Sequence, residues 1–155
     1  MLVRRAFRFE LDPSDHTRSM LVSHAGASRF AYNWGLALVK ACLEQRQQIR
    51  VAGFREILSD DEVERLARSF EVPWTLASLR KEWNRQKALV APWWAENSKE
   101  AYSSGLDALA RALDSFSKAR RGSRSGTTGS PRLKKRSRKL GVVARGFHPR
   151  RSTVR

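Results

Sequence analysis

The chain has 155 residues and carries 31 lysines and arginines against 15 aspartates and glutamates, a formal net charge of +16. Such an excess predicts a polyanionic partner, nucleic acid first and an anionic membrane surface second. The sequence has no apolar run long enough to span a bilayer, and we expect nucleic acid rather than a membrane as the partner. The single cysteine, Cys42, excludes an internal disulfide and a zinc site built on cysteine pairs, so we expect a cytoplasmic protein.

The first predicted element is a β-strand at residues 2–11, where apolar and charged side chains alternate. Apolar side chains such as Phe7 fall on one face, and charged ones such as Arg4 and Arg8 fall mainly on the other, which is typical of a half-buried strand. A lone strand leaves its backbone N–H and C=O groups unpaired, so it needs neighbours. These are either residues 140–143 or strands encoded outside this chain. We favour the second alternative, which suggests a fragment.

About five helices follow, so the predicted fold class is mainly α: one amino-terminal strand, then a helix-turn-helix-like bundle. In chain order, the helices are predicted from Asp12 to about Gly26, along the stripe of Phe30, Trp34 and Leu38, after the capping box at Ser59, around Leu76 to Trp83, and from Tyr102 to Phe116. The first two are separated near Gly26. A pair of helices broken at a glycine resembles a helix-turn-helix, although such pairs also occur without DNA binding.

The carboxyl-terminal part of the sequence is a polycation. Residues 118–155 hold 14 cations and no acid, and residues 131–139 alone hold six cations. Because this tail has few apolar side chains to offset the entropy of ordering, we expect it to be disordered until a partner binds. Residues 122–130, rich in Gly, Ser and Thr, have the composition of a flexible linker. We therefore divide the chain into a folded domain (1–121), a linker (122–130) and a basic tail (131–155).

The densest group of acids follows Ser59 and consists of Asp60, Asp61, Glu62 and Glu64. Acids in a first helical turn complement the helix dipole and cap free N–H groups, so we interpret this group as a helix start rather than a metal site. No spacing of Cys or His in the sequence matches a metal site, and no glycine-rich phosphate loop occurs. We therefore predict no catalytic residue, no metal and no cofactor.

Five tryptophans allow two interpretations, core packing and stacking on unpaired bases. Trp34, Trp83 and Trp94 fall on or beside apolar helical faces, which favours packing. For Trp74 and Trp93, which stand beside prolines at predicted helix breaks, both interpretations stay open.

Several segments together resemble the amino-terminal region of the TnpB/OrfB proteins, which insertion sequences encode. The segments follow in that family's order and cover about residues 4–139; they are residues 7–14, 29–36, Pro92-Trp93, the Leu-Asp-x-Leu-x-x-Ala pattern of residues 106–112, and residues 129–135. The most specific are Phe-x-Tyr-Asn-Trp at residues 30–34 and a Pro-Arg-aromatic-Lys motif at residues 131–134. In the latter, Leu133 stands where the family usually has Phe.

The resemblance implies a helix-turn-helix domain, which corresponds to one strand of a wedge-like β-barrel with a helical recognition lobe inserted. It also implies that the full relatives are RNA-guided DNA nucleases, with contacts to a guide RNA and to the guide–target heteroduplex. The family's nuclease domain, with its three acidic residues, and its four-cysteine zinc ribbon are not in this sequence. We therefore expect a truncated copy that binds nucleic acid without cleaving it.

The leading hypothesis from the sequence is a nucleic-acid-binding fragment, with the preference for DNA or structured RNA left open. The predicted phosphate-binding residues are the tail cations Arg132, Lys134, Lys135, Arg136, Arg138 and Lys139, assisted by Arg4 and Arg8 of the strand and by Arg29. One alternative is a regulatory or interaction protein that docks on a full-length relative or its RNA through the unpaired strand edge. Another is a decayed gene product without a retained role.

Overall fold

A computed structural model describes residues 12–52, 57–122 and 128–136 of the chain. These residues form four α-helices and one short 3-10 helix, so the mainly helical fold class predicted from the sequence is confirmed. The elements are α1 (Asp15–Val51), α2 (Asp60–Ser69), α3 (Leu76–Val90), a 3-10 helix (Trp94–Glu96) and α4 (Lys99–Arg120). The strand predicted at residues 2–11 and its possible partner at 140–143 lie outside the described residues. The predicted domain boundaries stay a prediction.

The first element, α1, is one continuous helix of 37 residues, where the sequence predicts two. It begins after Ser14, whose side-chain oxygen accepts a hydrogen bond from the Thr17 backbone N–H at 3.3 Å. The break predicted near Gly26 is wrong, and no helix-turn-helix forms within α1. A lone glycine costs a helix interior only about 1 kcal/mol relative to alanine, which the packing of the residues from Ala27 onward offsets.

Helix α4 packs against α1 at very short range, and Gly105 is the residue that permits the approach. A Cβ atom at position 105 would lie 2.1 Å from the backbone oxygen of Ser28. Beside this contact, the hydroxyl groups of Ser28 and Ser104 are hydrogen-bonded at 3.0 Å. Further along α1, a Cβ atom at Gly35 would lie 2.8 Å from a methyl carbon of Leu109. Small residues on both helices therefore set the distance between them.

One core joins α1, α3 and α4, and Trp83 of α3 is its central aromatic side chain. The Trp83 ring stacks on Tyr102 with centroids 4.8 Å apart and meets Trp34 edge-on at 5.2 Å. The packing role predicted for Trp34 and Trp83 is thus confirmed. The buried residues of the core are Ala27, Ala31, Tyr32, Leu36, Val39, Leu79, Trp83, Ala91, Tyr102, Leu106, Leu109 and Leu113.

Helix α2 is held by polar contacts at its start and along its length. The Ser59 hydroxyl accepts from the Glu62 backbone N–H at 3.4 Å, and the Glu62 carboxylate accepts from the Ser59 backbone N–H at 2.8 Å. This is the capping box predicted from the sequence. One turn on, Glu64 accepts from the Nε atoms of Arg50 and Arg68, each at 2.8 Å. The acidic group thus starts α2 and ties it to the end of α1.

Candidate nucleic-acid interface

The first residues of the basic tail lie against α1, in the part of the chain that the structure describes. The side-chain amide of Asn33 makes two hydrogen bonds with the backbone of Lys134. Its Oδ1 accepts from the Lys134 N–H at 2.8 Å, and its Nδ2 donates to the Lys134 C=O at 3.0 Å. The disorder predicted for residues 131–155 is therefore wrong for residues 131–136. Residues 137–155 lie outside the described residues.

The side chain of Lys134 makes a second contact with the helices. Its ammonium nitrogen lies 4.2 Å from the centroid of the Tyr32 ring, a cation–π geometry. Tyr32 itself is buried, and burial raises the pKa of its phenol. Desolvation, together with the like charge of Arg111 on α4, lowers the pKa of Lys134. Lys134 thus anchors the basic segment close to both α1 and α4.

Several predicted phosphate-binding cations have no carboxylate partner in the described ranges. Some helix arginines do have one, as Arg111 does with Asp107 at 2.7 Å. Among the predicted phosphate-binding cations that the structure describes, none takes part in an ion pair with another described residue; they are Arg29, Arg132, Lys134, Lys135 and Arg136. Since no internal carboxylate neutralises them, their charge is available to an external anion.

The structure brings some of the predicted site residues together and does not describe others. Arg29 lies four residues before Asn33, so it shares the face of α1 that contacts the basic segment. In that segment Arg132, Lys135 and Arg136 are exposed. The predicted residues outside the described ranges are Arg4, Arg8, Arg138 and Lys139. Phosphate binding by all of these residues stays a prediction.

Sequence reasoning missed Tyr32, Asn33 and Arg111 as parts of this region. Tyr32 packs in the core, and its ring face also receives the Lys134 ammonium. A signal for Asn33 was present, because it is an amide between Tyr32 and Trp34 in an otherwise apolar stretch of α1. Charge patterning gives no weight to a neutral residue, so it does not identify Asn33.

The tryptophans at the predicted helix breaks differ in exposure. Trp74 is half-buried and packs against the core, whereas Trp93 is 36% exposed. The ring of Trp93 meets Phe30 edge-on at 5.1 Å. Stacking of Trp93 on an unpaired base stays a prediction.

Two further properties of the described residues bear on the kind of site. Among residues 12–52, 57–122 and 128–136, no three His, Cys, Asp or Glu side chains are grouped so that they could hold a metal ion. None of the helices formed by those residues combines the length and the apolar character needed to cross a membrane.

Comparison with known proteins finds one matching family model and two similar proteins. The family model HTH_OrfB_IS605, described as "Helix-turn-helix domain", matches residues 1–49. Within that match, residues 15–49 all belong to the single helix α1. Two proteins of Mycobacterium tuberculosis, one from strain CDC 1551 / Oshkosh and one from strain ATCC 25618 / H37Rv, are each 34% identical to this chain over 142 residues. Both carry the name "Putative RNA-guided DNA endonuclease".

The similarity covers most of this chain but a small part of each relative. The aligned region is 86% of this chain and 27% of either relative, so the chain spans about a quarter of the length of the curated proteins that it matches. No solved structure matches the chain.

Proposed function

Because this chain belongs to the TnpB/OrfB family through its amino-terminal region, we propose that it is a nucleic-acid-binding helical lobe. Its binding face is the basic segment 131–136 together with the adjoining face of α1. The observation that carries the proposal is the placement of three exposed cations, Arg132, Lys135 and Arg136, on a segment that contacts Asn33 and Tyr32 of α1. The proposal assigns phosphate binding to this chain and no bond-breaking chemistry.

The physical basis is electrostatic. Each cation that neutralises a phosphate releases condensed counterions, so affinity falls as salt rises, with a logarithmic slope of about −0.9 per contact on duplex DNA. If Arg29, Arg132, Lys135 and Arg136 each bind one phosphate, the slope is about −3.6, a roughly 100-fold loss of affinity between 50 and 200 mM salt. Contacts of this kind position a protein on the backbone and carry no sequence information.

Structured RNA is the nucleic acid that we propose as the preferred partner. The two relatives are named as RNA-guided, which makes a folded RNA or an RNA–DNA heteroduplex the first candidate for this lobe. Such a partner would be recognised through A-form shape and backbone contacts rather than through base edges. Cations on a fixed segment suit that recognition, because they require a regular array of phosphates rather than a particular sequence.

The test is fluorescence anisotropy of labelled probes titrated with the full chain across a salt series. The probes are an RNA hairpin, a DNA duplex of the same length and the corresponding single-stranded DNA. The test variant combines Arg132→Gln, Lys135→Gln and Arg136→Gln. A control with the same change in net charge combines Arg18→Gln, Arg65→Gln and Lys81→Gln, which are exposed residues on α1, α2 and α3.

We expect the wild-type chain to bind the RNA hairpin most tightly. The test variant should bind more weakly, with a salt slope on duplex DNA that is less steep by about 2.7, while the control stays close to wild type. An equal loss in both variants would show that net charge alone matters and would refute the assigned face. A wild-type chain that binds none of the probes at 50 mM salt would refute the function and favour an interaction protein.

A further inference from the structure

The side chain of Asn33 binds both polar groups of the Lys134 backbone, as a neighbouring strand does in a β-sheet. A carboxamide carries a donor and an acceptor in one plane, and here both engage the N–H and the C=O of one residue. A neighbouring β-strand pairs with a residue in the same two-point way. A carboxylate, which only accepts, or an ammonium group, which only donates, could not supply this combination at position 33, and a hydroxyl would have to make both bonds through one oxygen.

Few other polar contacts between described residues join the basic segment to the helices. Among the described residues, these two are the hydrogen bonds that join residues 128–136 to the helices. The side chain of Leu133 remains 59% exposed, so it contributes little apolar burial. A further contact between the segment and α1 is that of the Lys134 ammonium with the Tyr32 ring, and Pro131 is half-buried. Asn33 therefore supplies both of the hydrogen bonds that hold the segment on the helices.

We infer that Asn33 is a positioning residue, which holds segment 131–136 in the conformation in which its cations meet phosphates. This inference rests on the proposed nucleic-acid-binding function and extends it to a neutral residue. Apparent affinity is scaled by the fraction of molecules that are already competent to bind. Without the two hydrogen bonds between Asn33 and the Lys134 backbone, which we call the Asn33 clamp, the same cations still reach the same phosphates. The segment must then be ordered on the helix during binding, and this lowers affinity.

This role has a measurable signature. The removal of a cation makes the salt dependence less steep, because one phosphate contact is lost. The removal of the Asn33 clamp leaves the number of phosphate contacts unchanged, so affinity falls by the same factor at every salt concentration. A residue that matters only for folding would instead lower the thermal midpoint and the active fraction of the protein.

The experiment compares the full wild-type chain with Asn33→Ala, with Asn33→Gln, and with Asn84→Ala, which removes an exposed amide from α3 as a matched control. RNA hairpin binding is measured across the salt series. Trypsin cleavage after Arg132 and Lys134 is followed by mass spectrometry without nucleic acid. Circular dichroism establishes that every variant is folded, which we expect because alanine favours a helix more than asparagine does.

For Asn33→Ala we expect roughly three- to tenfold weaker binding at each salt concentration, as the loss of two exposed hydrogen bonds implies, with an unchanged slope and faster cleavage. Asn33→Gln retains both polar groups and should lie between alanine and wild type, while Asn84→Ala should match wild type. If Asn33→Ala leaves affinity and cleavage unchanged, the inference about Asn33 is overturned and the proposed function stands. A less steep dependence of affinity on salt in Asn33→Ala would also overturn the inference, because it would mean that ionic contacts had been lost. A wild-type chain that binds no probe would overturn the proposed function as well.

Discussion

Replacing Gly105 with alanine should destabilise the pair of α1 and α4. The added Cβ atom would lie 2.1 Å from the Ser28 backbone oxygen, 3.0 Å from its carbonyl carbon and 3.2 Å from the Tyr32 backbone nitrogen. All three atoms belong to the backbone of a long helix, so none can rotate away as the end of a flexible side chain could. The helices must therefore move apart.

Two opposing effects set the change in unfolding free energy of Gly105→Ala. Alanine favours a helix interior over glycine by about 1 kcal/mol. To reach an ordinary contact of 3.4 Å from 2.1 Å, however, α4 must shift by about 1.3 Å, which loosens the packing of Leu106 and Leu109. Overpacking costs about 1–3 kcal/mol, and a clash with helix backbone belongs at the upper end of that range. After the helix-propensity gain is subtracted, we expect a net loss of about 2 kcal/mol of unfolding free energy and a thermal midpoint lowered by roughly 5–15 °C.

The assay is thermal and urea unfolding followed by circular dichroism, with two other glycines as internal references. A Cβ atom at Gly26 meets nothing within 4 Å, so Gly26→Ala should raise stability by about 0.4–1 kcal/mol. A Cβ atom at Gly35 meets the end of the Leu109 side chain at 2.8 Å, so Gly35→Ala should fall between the other two variants. A Gly105→Ala variant that unfolds at or above the wild-type midpoint would refute the close approach of the helices.

The other stability predictions concern acid sensitivity and the aromatic core. Hydrogen bonds from Arg50 and Arg68 lower the pKa of Glu64 from 4.5 to about 2, so its contribution to stability is present above pH 4.5 and is lost as the pH falls towards 2. Urea midpoints at pH 6 and pH 3 should therefore differ less in Glu64→Gln than in wild type, and an equal difference would contradict the ion-pair assignment. Trp83→Ala should cost about 3–5 kcal/mol of unfolding free energy, and Trp93→Ala, at a 36% exposed position, clearly less. Equal losses in urea titrations would show that Trp83 is not the central aromatic side chain.

The sequence predicts those parts of the fold that depend on residues close together in the chain. The capping box at Ser59 and Glu62 forms as predicted, because both partners lie within one helical turn. The apolar stripe of α4 is buried as its spacing predicts, with Leu106, Leu109 and Leu113 in the core. Periodicity and capping are local properties, so a single sequence is sufficient to identify them.

The continuity of α1 could not be predicted in the same way. Gly26 is a local signal for a helix end, and a one-residue signal has a small energy. The signal that overrides it is the packing of α1 on α4, through contacts such as Ser28 with Gly105, 77 positions further along the chain. A sequence shows that Gly105 interrupts a helical stripe, but it does not show which backbone approaches it.

The binding face depends on a contact of still longer range. Asn33 and Lys134 are 101 positions apart, and composition describes their regions only as an apolar helix and a polycation. Yet they belong to the two motifs that most specifically resemble the TnpB/OrfB proteins, Phe-x-Tyr-Asn-Trp and Pro-Arg-aromatic-Lys. In the fold, the Asn of the first motif binds the backbone of the Lys of the second, and the Tyr receives that lysine's ammonium group. The two motifs therefore act as the two halves of one contact, which accounts physically for residue types that neither charge nor periodicity explains.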